Sequence, residues 1–306
     1  MLLNEVVIFL FFKAGKLRIV NYLKFFPTWK KWKRTSQLVI FILSSSLIGD
    51  KSSYFCQKAF KISSIMDLKE LESGVNPDIH WYYQSKKLPL FSYTKKLLKN
   101  TNQLTIVDVG SGSGFFSVSL EKELSKGIKK VYLVDINYTA EEIAASKNDK
   151  IEKTLHIPDK IENSLVILMD VLEHLEDDLK MLQDIKAACI GDNNHFFITV
   201  PAFNSLWSGH DDYLGHYRRY KIDTLTNVLK KAGYTTHNSY YLYGSLFPMV
   251  WAARKLSNLK KKEATSNMKP FNPFVNKILL GVTSAEMALT SVNKVFGVTC
   301  VAQGKI

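Results

Sequence analysis

Short runs of apolar, mostly β-branched residues alternate with amphipathic segments through the middle of the chain. Such runs are typical of buried strands in a parallel sheet. The pattern predicts strands over residues 104–109, 130–135, 165–169 and 195–200. It predicts helices over residues 113–125, 138–148, 177–189 and 222–232. Because strands that alternate with helices form a sheet covered on both faces, we predict a doubly wound α/β fold.

The two ends of the chain depart from this alternation. Residues 1–65 show no clear hydrophobic periodicity, and the sequence from Met66 onward resembles the start of a protein. This extension is therefore either part of the functional protein or a segment upstream of its true start. Residues 66–103 look helical, and an amphipathic pattern over 274–296 predicts a further helix. We therefore divide the chain into an N-terminal extension (1–65), a central domain (66–240) and a helical, apolar C-terminal appendage (241–306).

The first predicted strand ends in three glycines spaced by one residue, Gly110, Gly112 and Gly114. Glycine allows a tight turn and lets a ligand approach the main chain without a Cβ in the way. The second strand ends in Asp135, where an acidic side chain can accept hydrogen bonds from ribose hydroxyls. Together these features predict a site for an adenosine-containing cofactor.

The spacing of the glycines bears on which cofactor binds. A dinucleotide fingerprint has the form G-x-G-x-x-G, whereas this chain has G-x-G-x-G with Phe115 at the third dinucleotide position. Asp108, two residues before the first glycine, would repel a pyrophosphate but suits a cofactor with an ammonium and a sulfonium. These features disfavour a nicotinamide-dependent oxidoreductase, which stays an alternative, as does an ordinary strand–turn of an α/β protein.

The segment resembles motif I of the class I S-adenosylmethionine-dependent methyltransferases. The resemblance implies a mostly parallel seven-stranded sheet of the Rossmann-like methyltransferase type, with S-adenosylmethionine as the cofactor. It places the cofactor contacts at Asp108, Gly110, Ser111, Gly112, Gly114, Asp135, Ile136, Asp170 and Val171.

A second motif, Asp170-Val171-Leu172-Glu173-His174, follows the third predicted strand. It resembles the D-V-L-E-H segment of the methyltransferases that include the ubiquinone- and menaquinone-biosynthesis enzymes, in which it lines the cofactor cleft. His174 is a candidate general base, because a neutral imidazole accepts a proton near pH 7. The alternative is that Glu173 and His174 shape the loop and hold each other by hydrogen bonds.

Residues 201–220 follow the last predicted strand and carry V-P-A-F-x-x-L-W-S-x-H-D and G-H-x-R-R-Y elements that resemble one subgroup of methyltransferases. His210 and His216 are candidates to activate an acceptor hydroxyl. Candidate acceptor-binding residues are His80, Trp81, Arg218, Arg219 and Tyr220. Arginine presents a forked donor that suits a carboxylate or phosphate. Alternatively, the two arginines pair with Asp211, Asp212 or Asp223 and hold this segment closed.

The charge of the chain is uneven. The net charge is +13 over 306 residues, and residues 1–65 hold eleven Lys/Arg against two Asp/Glu. These basic residues are interleaved with aromatic and aliphatic ones, which favours peripheral contact with an anionic membrane over nucleic acid. Apolar runs fall short of the roughly 18–20 residues of a spanning helix, and the start lacks the basic region of a secretory signal.

The chain has three scattered cysteines, which fit neither a disulfide framework nor the spacing of metal ligands, so we predict no metal site. Free cysteines are typical of a reducing compartment, so we predict a protein of the cytoplasm or of the inner face of the membrane. The sequence as a whole predicts transfer of a methyl group to a small-molecule or lipid-linked acceptor, with oxygen, nitrogen and carbon all open as the methylated atom. A non-catalytic membrane-surface protein that keeps the fold is the remaining alternative.

Overall fold

The structure, a computed structural model, describes residues 75–259 and 271–306 and the backbone of three short strands near the N-terminus. The chain divides into two units, Met1–Phe55 and Cys56–Ile306. In the first unit, strands β1 (Phe9–Lys13), β2 (Lys16–Val20) and β3 (Ile42–Ser44) form a sheet in the order β2-β1-β3. The rest of the predicted extension 1–65 lies outside the described residues.

The second unit is built on a sheet whose seven described strands have the order β6-β5-β4-β7-β8-β10-β9. The strands are β4 (Leu104–Val109), β5 (Ile128–Val134), β6 (Ile151–Thr154), β7 (Ser164–Met169), β8 (Asn194–Pro201), β9 (Thr235–Leu242) and β10 (Thr299–Lys305). The pairs from β6 to β8 are parallel, and β10 runs antiparallel to both of its neighbours. The predicted doubly wound, mostly parallel seven-stranded fold is confirmed.

The described helices are α1 (Trp81–Leu97), α2 (Phe115–Leu124), α3 (Ala140–Ser146), α4 (Asp178–Ala188), α5 (Gly209–Leu214), α6 (Ile222–Lys231), α7 (Phe247–Leu259) and α8 (Pro273–Met287). Two of these helices begin at side chains that are typical N-caps. Asp177 accepts a hydrogen bond from the backbone of Lys180 at 2.9 Å and so caps α4, and Thr139 caps α3 in the same way.

Alternate side chains of each strand enter opposite core layers, because successive residues of a strand point to opposite faces. In β4, Ile106 packs in the layer that holds Leu90 of α1 and Leu120 of α2. The next residue, Val107, packs in the layer that holds α4 and α6. Both β4 residues are fully buried, as a strand at the centre of a doubly covered sheet requires.

The predicted helical character of residues 241–306 is wrong at Thr299–Lys305, which form β10. Val301 of this strand lies opposite Thr199 of β8 and Tyr240 of β9. The sequence TCVAQGK carries little strand signal of its own, but hydrogen bonds on both edges and burial of Val301 hold it in the sheet. The sheet therefore reaches almost to the last residue. Predicted helix 222–232 corresponds to α6, and the strand that follows it, β9, was not predicted.

The strand order places a crevice beside β4. The chain leaves β4 toward β5 and β6 on one side, and it returns to β7 and β8 on the other. In open α/β sheets, ligands bind at this reversal, outside the carboxyl ends of the strands. The turn after β4 and the segments after β5 and β7 meet here, and they hold most of the predicted cofactor residues.

Among the described helices, none combines the length and the apolar character that crossing a bilayer requires. The basic residues 260–270 between α7 and α8 lie outside the described residues.

Gly114 provides a direct test of the packing between the turn and the sheet. It has φ +76°, and a Cβ built on it would lie 2.7 Å from Cδ1 of Leu133. We expect Gly114→Ala to lower the free energy of unfolding by about 2 kcal/mol or more, because it adds this clash to the ~1–2 kcal/mol cost of a left-handed alanine. Urea unfolding followed by circular dichroism measures it.

Gly191→Ala is the matched control, since Gly191 has φ +73° but has open space around the position of the added Cβ. Only the backbone cost applies there. Equal losses in the two variants would contradict the close packing of Gly114 against β5.

Candidate functional site

The turn after β4 has the backbone that its glycines predict. Gly110, Gly112 and Gly114 have φ values of 72°, 52° and 76°, which are in the left-handed region. The amide of Gly110 donates to the carbonyl of Val134 at 2.8 Å and ties the turn to the end of β5. The main chain of the turn is therefore fixed, and its glycines present no side chain to a ligand.

Asp108 lies below this turn, in the last part of β4, and is almost fully buried. Its Oδ2 accepts a hydrogen bond from Oγ of Ser117 at 2.6 Å. Because Ser117 lies on α2, the carboxylate joins the strand to the helix that follows the turn. Ser117 was not among the predicted site residues.

Asp135 follows β5 directly and is also buried. Its Oδ2 accepts from the amide of Gly112 at 2.9 Å, and its Oδ1 accepts from the amide of Asn137 at 3.0 Å. Oδ1 also accepts from the side-chain Nδ2 of Asn137 at 3.1 Å, so these bonds fix the orientation of the carboxylate beside the turn. Ile136, next along the chain, is half-buried against the core.

Tyr138 is a site residue that sequence reasoning missed. Its hydroxyl donates to the carbonyl of Gly112 at 2.8 Å and lies 2.9 Å from Oγ of Ser111. Burial raises the pKa of the phenol well above its usual value, with smaller contributions from Asp108 and Asp135, so the hydroxyl stays protonated. The hydroxyl therefore ties Tyr138, which lies just after β5, to the turn after β4. Its one sequence signal is its place just after the strand.

Asp170, at the end of β7, has φ 57° and forms a buried network with α1. Nζ of Lys86 pairs with its Oδ2, and the hydroxyl of Tyr82 donates to the same oxygen at 3.2 Å. Oγ1 of Thr199 donates to Oδ1 at 2.9 Å. The neighbouring residue Val171 is fully buried in the core.

The Lys86 side chain is almost fully buried, so this pair has little competition from water. Burial alone would raise the pKa of Asp170. The charge of Lys86 and the hydrogen bonds from Lys86, Thr199 and Tyr82 outweigh burial, and the pKa of the carboxyl is lowered overall. Asp170 is therefore an anion in the folded protein at neutral pH.

His80 and Trp81 lie at the N-terminus of α1. Nδ1 of His80 caps the helix by accepting from the amide of Tyr82 at 3.4 Å. The amide of Trp81 donates to Oδ1 of Asn276 on α8 at 2.9 Å, and its ring lies 6.5 Å from that of Phe271. The start of α1 is therefore joined to α8 and to Phe271 just before it. The role of His80 and Trp81 toward an acceptor stays a prediction.

Residues 201–220, which we name the lid segment, are organised around Asp211. The Asp211 carboxylate is fully buried. Its Oδ1 lies 3.0 Å from Nδ1 of His216 and 2.7 Å from Nε of Arg219, and its Oδ2 lies 3.3 Å from Nη1 of Arg254 on α7. Burial opposes ionisation, but the bond to His216 and the two arginines prevail and hold the pKa of Asp211 far below its usual range.

Arg218 and Tyr220 hold the other end of the lid segment to α4. Nη1 of Arg218 lies 3.2 Å from Oδ2 of Asp178, and the hydroxyl of Tyr220 donates to the same oxygen at 2.7 Å. Arg219 also donates to the carbonyl of Ala202 at 3.0 Å. These contacts are those of the alternative in which arginines hold the segment closed, with Asp178 as a partner that was not foreseen. Acceptor binding by Arg218, Arg219 and Tyr220 stays a prediction.

The three candidate histidines have different surroundings. His210 is half-buried near the start of α5. The rings of His174 and His216 are 4.5 Å apart and nearly perpendicular. The pKa of His174 is lowered to about 3, mainly by burial and to a smaller extent by the neighbouring His216, so its imidazole is neutral.

The pKa of Glu173, the residue before His174, is raised well above its usual value, mainly by burial and to a smaller extent by the charge of Asp170.

The residues around the β4 turn fit a nucleoside cofactor with a positive centre. The glycine main chain is open to close approach, and Asp135 offers acceptor oxygens beside it. Asp108 places a carboxylate next to the start of α2, where a pyrophosphate would meet it. A cofactor that carries an ammonium and a sulfonium avoids this repulsion.

Comparison with protein families gives one match, to the model described as a methyltransferase domain, over residues 81–239. No curated protein matches the chain. Among solved structures, a protein from Galdieria sulphuraria with a provisional assignment as a sarcosine dimethylglycine methyltransferase is 14% identical over 79% of this chain and 97% of that one, with a TM-score of 0.47. A SAM-dependent methyltransferase from Archaeoglobus fulgidus is 15% identical over 79% and 99%, with a TM-score of 0.44.

Asp135→Ala tests the cofactor site. It removes an acceptor beside the turn and leaves the Gly112 amide without its partner, so we expect the affinity for S-adenosylhomocysteine to fall by about 1–3 kcal/mol. Isothermal titration calorimetry measures it. Asp192→Ala, which removes an exposed carboxylate before β8, is the control and should bind as the wild type does. An unchanged affinity in Asp135→Ala would show that the carboxylate does not serve the cofactor.

Lys86→Met tests the buried pair. Removing one partner of a buried ion pair costs about 3–5 kcal/mol, and we expect a loss of about 3 kcal/mol at pH 7. The folded pKa of Asp170 is lowered, so its stabilisation is complete above the unfolded pKa near 3.8 and is lost as pH falls through the folded value. The gap between wild type and variant should therefore narrow below about pH 4.

Lys95→Met is the control on the same helix, because the pair between Lys95 and Glu123 is about half exposed on both sides. Exposed pairs contribute about 0–1 kcal/mol. Urea unfolding at pH 7 and at low pH gives both comparisons. A gap that stays constant with pH in Lys86→Met would contradict the role of the pair.

Proposed function

The chain belongs to the family of S-adenosylmethionine-dependent methyltransferase domains, and from that premise we propose that it methylates a lipid-linked acceptor at an anionic membrane surface. The predictions of a methyltransferase and of its cofactor are confirmed. The likeness to the ubiquinone- and menaquinone-biosynthesis group and the nature of the acceptor stay proposals.

The sulfonium of the cofactor supplies an activated methyl group, so the protein contributes alignment and exclusion of water. We assign the cofactor to the turn between Gly110 and Gly114, with Asp135 toward the ribose and Asp108 toward the methionine part. Asp170 and the buried Val171 close the crevice from the β7 side. The lid segment, which follows β8, covers the acceptor side of the crevice.

The acceptor side is bordered by the two C-terminal helices. Arg254 of α7 donates to the carbonyl of Leu206 in the lid segment, and Phe247 packs against Phe203 at 5.6 Å between ring centroids. Helix α8 contacts α1 through Asn276, which bonds both Trp81 and Ile79. Both helices therefore stand next to residues of the proposed acceptor site.

The exposed faces of these helices are unusually apolar, and this observation carries the proposal of a lipid-linked acceptor. On α7, the side chains of Met249, Trp251 and Leu256 are exposed. On α8 and after it, the exposed apolar residues are Phe274, Val275, Ile278, Val282, Leu289, Val292, Val295 and Phe296. An apolar stretch of this extent on a folded surface is typical of a binding surface for a protein or a membrane.

The charge of the sequence that connects α7 to α8 favours a membrane. Residues 255–269 contain five lysines against one acidic residue, Glu263, and Lys277 follows on α8. A helix that lies on a bilayer combines an apolar face with basic residues, and each Lys near an anionic surface contributes about 1 kcal/mol. The apolar face would enter the lipid while the lysines meet the headgroups, so a lipid-linked acceptor would reach the crevice without leaving the membrane.

Of the three candidate bases, we propose His210 as the group that accepts a proton from the acceptor. It lies in the lid segment at the start of α5 and is half-buried, whereas the side chains of His174 and His216 are deeply buried. A neutral imidazole can accept a proton at physiological pH.

Methyl transfer can be tested with S-adenosylmethionine labelled in its methyl group and two fractions of a cell extract, membrane lipids and water-soluble metabolites. We expect label in the lipid fraction, with loss of transfer in Asp135→Ala. Label confined to the water-soluble fraction would contradict a lipid-linked acceptor and leave the methyltransferase activity established. Mass spectrometry of the product identifies the methylated atom.

Membrane contact can be tested by flotation with vesicles. We expect the full chain to float with vesicles that contain phosphatidylglycerol and to float less with phosphatidylcholine alone. The double variant Phe274→Ser/Ile278→Ser should lose flotation, because it removes apolar area from the proposed contact. The matched control is Val118→Ser/Ile190→Ser, which removes exposed apolar side chains elsewhere. Equal flotation of the two double variants would contradict the proposal.

A further inference from the structure

Three side chains that were assigned separately in the sequence converge on one point beneath the lid segment. Glu173 and His174 lie in the short helical turn after β7, and His216 lies in the lid segment. One carboxylate oxygen and one nitrogen from each imidazole all lie within 4.8 Å of one another. Ligands bonded to one cation at about 2.0–2.2 Å lie at most about 4.4 Å apart, so small movements of these side chains would bring all three atoms onto a single ion.

Most polar atoms of this cluster are buried without a well-formed hydrogen bond to a described residue. They are both carboxylate oxygens of Glu173, both ring nitrogens of His174 and Nε2 of His216, although the backbone of Leu214 lies near His174 and the backbone of Glu173 lies near its own carboxylate. The side chains of Glu173 and His174 are fully buried, and that of His216 is almost so. Buried polar groups in folded proteins are nearly always paired, so three side chains that bring such atoms within 4.8 Å of one another point to a missing ligand.

We propose that Glu173, His174 and His216 bind one divalent transition-metal ion. Two imidazoles and one carboxylate form a ligand set that suits Zn²⁺ or Fe²⁺, whereas Mg²⁺ and Ca²⁺ take oxygen ligands. The cluster contains no cysteine, and its two sequence-adjacent members are separated from His216 by the whole of α4 and β8. For that reason the sequence predicted no metal site.

Asp211 is not one of the proposed ligands, but it orients the ring of His216. Its Oδ1 lies 3.0 Å from Nδ1 of His216, which leaves Nε2 of the same ring to face the cluster. A carboxylate behind a histidine ligand fixes the tautomer and orientation of the ring and makes it a better donor to the metal. Arg219 and Arg254 hold Asp211 in turn, so the position of His216 is set by the lid segment and α7.

An ion at this point would join the end of β7 to the lid segment. Three protein ligands leave at least one coordination position open, as in metal sites that bind a substrate oxygen. The cluster stands at the carboxyl end of the sheet, on the side bordered by the lid segment. The proposed ion therefore orders the acceptor side of the crevice, and the cofactor residues at the β4 turn are separate from it.

The site can be tested with the full chain after treatment with a chelator. Zn²⁺ is titrated by calorimetry and Co²⁺ by visible absorption, which reports the geometry of nitrogen and oxygen ligands. We expect one equivalent of each metal to bind. Glu173→Gln and His216→Asn should each weaken binding by about 100-fold or more, since even changes behind the ligands weaken metal binding by about 10–100-fold.

Glu173→Gln keeps the shape of the side chain, so circular dichroism and thermal unfolding without metal should match the wild type and show that lost binding is not lost folding. His195→Asn is the control, because His195 lies at the opposite end of β8, where its Nε2 contacts Asn193 at 3.1 Å. It should bind metal as the wild type does.

A wild-type chain that binds neither metal stoichiometrically would overturn the proposal, and so would undiminished binding in both ligand variants. Binding of S-adenosylhomocysteine to the metal-free protein is measured alongside. The glycine turn and Asp135 contribute no ligand to the cluster, so we expect the metal-free protein to keep this binding, and the failure of either proposal is recognised separately.

Discussion

Buried carboxylates at the ends of three adjacent strands impose the constraint on which the rest of this structure depends. Asp108, Asp135 and Asp170 lie at the carboxyl ends of β4, β5 and β7; the first two are almost fully buried, and the third is about one-fifth exposed but pairs with the buried Lys86. An unpaired buried charge is costly, so each requires a donor. The donors come from α2, from the glycine turn and from α1, through Ser117, Gly112 and Lys86. Satisfying the carboxylates therefore also fixes the walls of the crevice.

The sequence predicts the part of this arrangement that depends on local residues. Strand β4, its glycines and the acid after β5 follow from hydrophobic pattern and backbone freedom, and all are found where expected. Lys86 could not be predicted in its role. It stands beside Lys87 in a helix and has no local feature that marks it for burial. Strand β10 was missed for a related reason, because its stability comes from pairing with residues far away in the sequence.

In the lid segment, the sequence identified the important residues but could not predict their partners. Its motif indicated which residues mattered, but not whether they face a ligand or each other. In the structure Asp211 gathers His216, Arg219 and Arg254, and Asp178 receives Arg218 and Tyr220. The carboxylate of Asp211 is fully bonded, whereas the side-chain polar atoms of Glu173 and His174 lack well-formed hydrogen bonds to described residues. The C-terminal helices extend the same region outward and end in an exposed apolar face.

All of the proposed chemistry requires that the turn after β4 binds a methyl-donating nucleoside. Thermal unfolding of the purified full chain with S-adenosylhomocysteine, and separately with NAD⁺, tests it most directly, because a ligand that binds the folded state raises its melting temperature. We predict a saturable rise with S-adenosylhomocysteine and none with NAD⁺. A rise with NAD⁺ alone, or no rise with either ligand, would contradict binding of a methyl-donating nucleoside at this turn.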